Sequence, residues 1–179
     1  MKEDKFKEFI GKKRGQFILE NYPNIPKETI EDILSDVGGL IYHNLEQYTL
    51  IKGIKELTSY LKKNKIKLAL TTGTDLIHIN KILDLNNLNE FDIIVSGEEF
   101  NSSKPDPECY SITLKKLKLK PEEVIIVEDS PAGIQAAKSL GIKVFGLGTY
   151  FDKKTLDVDP FFLDHTEILN YIKKVYKDK

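Results

Sequence analysis

The ten residues 124–133, Val-Ile-Ile-Val-Glu-Asp-Ser-Pro-Ala-Gly, constrain the fold more than any other stretch of the chain. Val124, Ile125, Ile126 and Val127 are consecutive β-branched residues, the pattern of a strand buried on both faces in a parallel sheet. Ser130 followed by Pro131 reads as a helix start, with Ser or Asp as N-cap and Pro at the first helical position, and Gly141 supplies the stop. Glu128 and Asp129 therefore fall at the carboxyl end of a buried strand beside a helix N-terminus, where open α/β sheets place their ligands. Adjacent carboxylates raise each other's pKa unless a cation neutralises them. Mg²⁺ is the simplest such cation, since it takes one or two carboxylates and keeps waters and substrate phosphate as its other ligands. Alternatively Asp129 only caps the helix and Glu128 is a solvated edge residue; the strand-Glu-Asp signal taken alone leaves both readings open.

The rest of the chain divides by rhythm. Up to Tyr48 the spacing is helical throughout: Phe6, Phe9 and Ile10 share a face, Phe17 and Ile18 resume after Gly11, and Ile30, Ile33, Leu34, Val37, Leu40 and Ile41 follow Pro26. Gly38-Gly39 is a candidate break or kink in that last helix. From Ile51 helices and strands alternate, with strands predicted at 66–70, 91–95, 124–127, 143–147 and 161–163. Helices are predicted around Ile54–Leu61 and Leu76–Leu83, from Pro105 to Leu117, after Pro131, and over Glu167–Tyr176. Strands separated by helices imply crossover connections and a parallel sheet. The expected architecture is α/β, with residues 1–50 a helical piece and residues 51–179 the α/β core.

Composition excludes several classes. The balance of 27 basic and 28 acidic residues gives a net charge of −1, which suggests neither a nucleic-acid-binding nor a membrane surface. Residues 1–20 are charged and amphipathic, without the apolar run of a signal peptide or membrane span, so a soluble, cytoplasmic protein is expected. The single cysteine, Cys109, forms no internal disulfide and suits a reducing compartment; it reads as a small buried hydrophobe rather than a nucleophile. His43, His78 and His165 are far apart and lack metal-ligand spacing.

Three strand ends carry polar groups: Thr71 with its Thr72-Gly73-Thr74 turn, Lys104 in Ser-Lys-Pro-Asp-Pro, and Glu128 with Asp129. In a parallel sheet all three open on one edge. A hydroxyl with turn amides, an ammonium and a carboxylate-held cation together describe a phosphate site. Singly, Thr71 is explained as a helix cap and Lys104 as one of many surface lysines; their joint placement weakens both explanations. The segment Gly11-Lys12-Lys13-Arg14-Gly15 is a short basic loop that could offer donors to an anion, or simply a solvated basic face.

On these residues the chain resembles the haloacid dehalogenase superfamily. Thr71, Lys104 and Glu128-Asp129 look like its second, third and fourth motifs, and the wording of Ser103–Pro107 and Glu128–Ile134 is similar to that of the β-phosphoglucomutase-like phosphatases and mutases. The resemblance covers essentially the whole chain. It implies a Rossmann-like parallel-sheet core with an N-terminal α-helical cap over residues 1–50, and Mg²⁺-dependent phosphoryl transfer through an aspartyl-phosphate on small phosphorylated metabolites such as sugar phosphates. By the same resemblance Thr71 and Lys104 are catalytic, holding the transferring phosphoryl group. Asp129, helped by Glu128, holds Mg²⁺, and Thr72, Gly73, Gly11, Lys12 and Arg14 meet the substrate.

The first motif of that superfamily, an apolar strand ending Asp-x-Asp, is not found. Asp157-Val158-Asp159 is followed by Pro160 and Phe161 and reads as a loop. The resemblance places the lost strand at the centre of the sheet, upstream of Met1, as if the chain began inside the cap. Four or five buried aliphatic residues at about 1.5–3 kcal/mol each are comparable to a domain's whole stability of about 5–15 kcal/mol. The chain is therefore expected to be marginal, to close the gap, to self-associate, or to borrow a strand from another chain. Three readings follow: a phosphatase whose chain is truncated and inactive alone, a phosphate-binding regulator, and one half of a split protein.

Overall fold

The computed structural model describes residues 13–43 and 49–176, the side chains of residues 14 and 40–42 excepted. Two helices come first, α1 (Arg14–Asn21) and α2 (Lys27–His43). Alternating elements follow: α3 (Ile54–Lys63), β1 (Ala69–Thr71), α4 (Leu76–Asn86), β2 (Ile93–Val95), α5 (Glu108–Leu117), β3 (Ile125–Glu128), α6 (Pro131–Ser139), β4 (Lys143–Leu147), α7 (Lys153–Leu156), β5 (Phe161–Phe162) and α8 (His165–Val175). The expected mixed α/β architecture with parallel strands is therefore present. No helix among the described residues is long and apolar enough to cross a membrane.

The sheet is split. β1 pairs with β2, with Thr71 opposite Val95, and β3, β4 and β5 pair in that order, with Glu128 opposite Gly146. All pairs are parallel, and no ladder joins β1 to β3. One continuous core nevertheless runs under both halves, where Val95 of β2 packs with Cys109 and Tyr110 of α5, Ile134, Ala136 and Ala137 of α6, and Val144 of β4. The opposite face carries two separate clusters. Ile79 and Leu83 of α4 pack with Leu88 under the first half, and Leu57 of α3 and Ile168 and Leu169 of α8 pack with Phe145, Leu147 and Phe162 under the second.

This arrangement corrects the reading of the central stretch. β3 is not buried on both faces: Ile126 joins the continuous core, but Ile125 and Val127, which alternate to the other face, are each 39% exposed. The reason is pairing, because β3 has a hydrogen-bonded neighbour only in β4. The strand buried on both faces is β4, whose Val144 and Phe145 go to opposite cores. Phe145, Phe162 and Tyr171 pack with ring centroids 5.3–5.5 Å apart, tilted or edge-on as aromatic quadrupoles prefer.

Other departures are small. β1 starts three residues later than predicted, and α5 begins at Glu108 because Pro107 serves as its N-cap. Gly38 and Gly39 do not end α2; Gly38 is the point of close approach to α4, where an added Cβ would lie 3.4 Å from His78 Cε1. Gly97 permits a tighter approach: a Cβ there would come within 2.3 Å of the Gly73 carbonyl oxygen, so the loops after β1 and β2 pack main chain to main chain.

Truncating the two-faced strand should cost far more than truncating β3. We expect Phe145→Ala to lower the unfolding free energy by about 3–5 kcal/mol and Val127→Ala by less than about 1.5 kcal/mol, measured by urea denaturation. Equal costs would place β3 inside a continuous sheet.

Candidate active site

Lys104 and Glu128 form the centre of the site. They come from the loop before α5 and the end of β3, and both are buried, at 8% and 7% exposure. Glu128 is saturated with donors. Its Oε1 accepts from Lys104 Nζ and from the Tyr110 hydroxyl, and its Oε2 accepts from Ser130 Oγ at 3.0 Å and from the main-chain N–H groups of Asp129 and Ser130 at 3.2 and 3.3 Å. Ser130, itself fully buried, also accepts the Gly133 N–H at 3.0 Å and so caps α6. Gly133 is obligatory here, because a Cβ would come within 2.2 Å of all three Glu128 carboxyl atoms. Lys104 Nζ also lies 4.8 Å from the centroid of the Tyr110 ring, a cation–π contact.

The two carboxylates are tuned in opposite directions. Burial pushes Glu128 up, but the Lys104 charge and the hydrogen bonds from Lys104, Tyr110 and Ser130 together hold it below its ordinary 4.5. Asp129 is raised above its ordinary 3.8, first by burial and then by the negative charge of Glu128, against a 2.7 Å hydrogen bond donated by Thr149 Oγ1 to its Oδ2. Burial and the neighbouring Glu128 carboxylate keep the Tyr110 phenol well above its ordinary range, so it stays a donor. Burial likewise raises the Cys109 thiol, which fits a packing role rather than a nucleophilic one.

The remaining predicted residues are brought only partly together. Thr71, at the end of β1, turns its hydroxyl to Thr113 of α5, with the two oxygens 2.7 Å apart, and no described contact links it to Lys104. Thr72 closes the following turn, its Oγ1 accepting the Thr74 N–H at 3.1 Å while its own N–H donates to the Val95 carbonyl. Gly73 lies in that turn against Gly97. Arg14 opens α1; Gly11 and Lys12 lie outside the described residues. Beside the turn, Leu34, Ser35, Gly38, Gly39, Asp75 and His78 line an open cavity of about 470 Å³ between α2 and α4. His78 Nδ1 is buried there without a hydrogen-bond partner, 3.6 Å from Asp75 Oδ2.

Mg²⁺ fits these residues at one position and not at the other. Asp129 is half-buried, and its charge is disfavoured in a way a cation would relieve, which suits a ligand. Both Glu128 oxygens are already committed to donors, so Glu128 acts here as the partner of Lys104. No three His, Cys, Asp or Glu side chains among the described residues gather into a cage. Tyr110, Thr149 and Thr113 are site residues that the sequence reading missed. Thr149 was legible, since it follows the end of β4 by two residues, at the same end of the parallel strands as Asp129; Tyr110 and Thr113 are hidden inside an ordinary helical pattern.

Residues 1–147 match the profile of the haloacid dehalogenase-like hydrolases. The chain belongs to that family. Among curated relatives, a phosphorylated carbohydrates phosphatase of Thermotoga maritima is 37% identical over 130 residues, spanning 69% of this chain and 59% of the relative. A validoxylamine A 7'-phosphate phosphatase of Streptomyces hygroscopicus subsp. limoneus is 26% identical over 89% of this chain and 76% of its own length. The fold of this haloacid dehalogenase-like chain is that of a β-phosphoglucomutase from Clostridium difficile, with a TM-score of 0.82 over 98% of this chain and 82% of that one at 24% identity. The resemblance read from the Thr71, Lys104 and Glu128-Asp129 motifs thus holds, including its β-phosphoglucomutase-like neighbourhood.

The opposite tuning of the two acids predicts opposite pH behaviour. A carboxyl lowered on folding contributes stability above its unfolded value, which for Glu128 is lost as pH falls below 4.5; a raised one opposes folding as pH climbs past its unfolded value, 3.8 for Asp129, and does so fully above its folded value. We therefore expect Asp129→Asn, which keeps an acceptor for Thr149, to be more stable than the wild type in urea at pH 7, with the gain shrinking toward pH 4. A less stable Asp129→Asn protein at pH 7 would contradict this assignment.

Proposed function

We propose that this chain supplies the phosphate-gripping part of a Mg²⁺-dependent phosphoryl-transfer site acting on small phosphorylated metabolites such as sugar phosphates. The observation that carries the reading is a buried ammonium, Lys104, oriented by its ion pair with Glu128, beside the neighbouring Asp129, a carboxylate of disfavoured charge, at the carboxyl edge of parallel strands. Sequence relatives named as phosphatases of phosphorylated carbohydrates support the substrate class.

In this reading Lys104 faces the phosphoryl oxygens with Glu128 and Tyr110 fixing its direction, and the Thr72–Thr74 turn offers amide donors beside Thr71. Asp129 holds Mg²⁺, which supplies charge neutralisation at the transferring group. Gly11, Lys12 and Arg14 meet the remainder of the substrate, together with the cavity lined by Ser35, Asp75 and His78. Residues 1–50 act as the cap of the 51–179 core, in a reducing cytoplasm that suits the buried Cys109 thiol.

The carboxylate nucleophile is not among the described residues on this edge. The unpaired, parallel edges of β1 and β3 and the exposed Ile125 and Val127 support a place for one more apolar strand between them, with the nucleophile at its end. A regulatory phosphate-binding protein is the second reading, favoured by Glu128 being committed to Lys104 rather than open to metal.

Calorimetric titration with inorganic phosphate and Mg²⁺ tests the site, and phosphomonoester turnover tests whether these residues hold a nucleophile of their own. We expect the 179-residue chain to bind the two together, Asp129→Asn to remain folded but lose the Mg²⁺-dependent part, and turnover to fall far below the roughly 1–10³ s⁻¹ typical of enzymes. Absence of phosphate and Mg²⁺ binding would overturn the proposal, and robust turnover abolished by Asp129→Ala would reveal a nucleophile elsewhere in the chain.

A further inference from the structure

The loop that delivers Lys104 is held from two sides. From beneath, Glu108 in the first turn of α5 accepts the main-chain N–H groups of Asn101 and Ser102 on its Oε2, at 2.9 and 2.7 Å. From the other side the amino end of α1 reaches across. The Lys13 N–H donates to Ser103 Oγ at 2.9 Å, the Ser103 N–H donates to Gln16 Oε1 at 2.8 Å, and Lys13 Nζ donates to the Phe100 carbonyl at 2.6 Å. That ammonium also lies 5.0 Å from the centroid of the Phe100 ring. These contacts join residues 87–90 positions apart, so they exist only while α1 lies against the loop.

Burial gives them weight. Phe100 and Ser103 are each 4% exposed, so a Ser103 N–H released by Gln16 has little water to turn to, and leaving such a donor unpaired costs more than an ordinary surface hydrogen bond. Lys104 follows Ser103 directly, and its ammonium must meet Glu128 and Tyr110 at fixed distances. A main-chain shift at Ser103 therefore becomes a shift of the ammonium. Neither the alternating pattern of the core nor the basic loop of the sequence singles out Lys13 or Gln16 for this role.

We propose that Lys13 and Gln16 are positioning residues, a clamp through which α1 sets the Phe100–Ser103 loop and so the place of the Lys104 ammonium. When α1 lifts away, the loop loses the three hydrogen bonds that Lys13 and Gln16 make with Phe100 and Ser103 and keeps its Glu108 anchor, and Lys104 loosens from Glu128 and becomes accessible. The helical pair is thereby coupled to the charge at the centre of the site. The meaning of that coupling for phosphate rests on the function proposed above; the clamp itself does not.

The test uses the full 179-residue chain and two substitutions at one position. Gln16→Leu keeps the size and removes the acceptor, whereas Gln16→Glu keeps an acceptor for the Ser103 N–H. Two readouts are independent of phosphate and of turnover: amide hydrogen exchange along the chain, and acetylation of Lys104 by an amine-reactive ester, quantified by mass spectrometry. For Gln16→Leu the clamp predicts exchange at Ser103 faster by about tenfold, with unchanged protection in β4. It also predicts several-fold faster acetylation of Lys104, and Gln16→Glu should restore both. Unchanged Lys104 acetylation, an exchange increase spread evenly over the fold, or failure of Gln16→Glu to restore protection would each overturn the clamp. Loss of phosphate binding by the wild type with the exchange results intact would sink the proposed function and leave the clamp standing.

Discussion

The structure depends on a buried ammonium and a buried carboxylate sharing one set of partners. Removing two charges from water costs several kcal/mol per ion, and attraction repays that only when the remaining lone pairs and protons are satisfied. Glu128 meets this condition by accepting five donors, two from side chains on one oxygen and three from the start of α6 on the other. The pair therefore does more than neutralise itself. It pins the end of β3 to the first turns of α5 and α6, the two helices that run under both halves of the divided sheet.

The same pair sets the chemistry beside it. The negative charge of Glu128 adds to burial in raising Asp129, so one acid is spent on structure and its neighbour is left with a charge that a cation would stabilise. A site that holds one carboxylate in an unfavourable state gives up stability for binding, a common pattern where function needs a strained or poorly solvated group. The sheet divides, among the described residues, at β1 and β3, the two strands that lead into Thr71 and Asp129.

Much of this was legible in the residues. The alternation of helices and strands after Ile51 gave the class and Ser130-Pro131 located the start of α6; of the polar strand ends, Lys104 does meet Glu128 beside Asp129, whereas Thr71 turns to Thr113. What was not legible depends on pairing across the chain. Four β-branched residues at 124–127 predict burial, but exposure is decided by whether a neighbour lies on each side, and β3 has one. Glu128 and Asp129 look equivalent as letters, yet only Glu128 lies within reach of Lys104 Nζ and Tyr110. Tyr110 itself carries no local signal, because an aromatic residue in the first turn of a helix reads as core until the acid it meets is known. The contacts of Lys13 and Gln16 span about ninety residues and could not be read from spacing at all.

A double-mutant cycle on Lys104 and Glu128 tests the central claim most directly. Unfolding free energies of the wild type, Lys104→Met, Glu128→Gln and the double variant, measured in urea at pH 7, yield the coupling between the two side chains. Each single substitution should cost about 3–5 kcal/mol, because it strands a buried charge or its donors. The double variant should cost much less than the sum, leaving a coupling of about 1.5–3 kcal/mol. Additive costs, with a coupling near zero, would show that the two charges are held independently and would contradict the account.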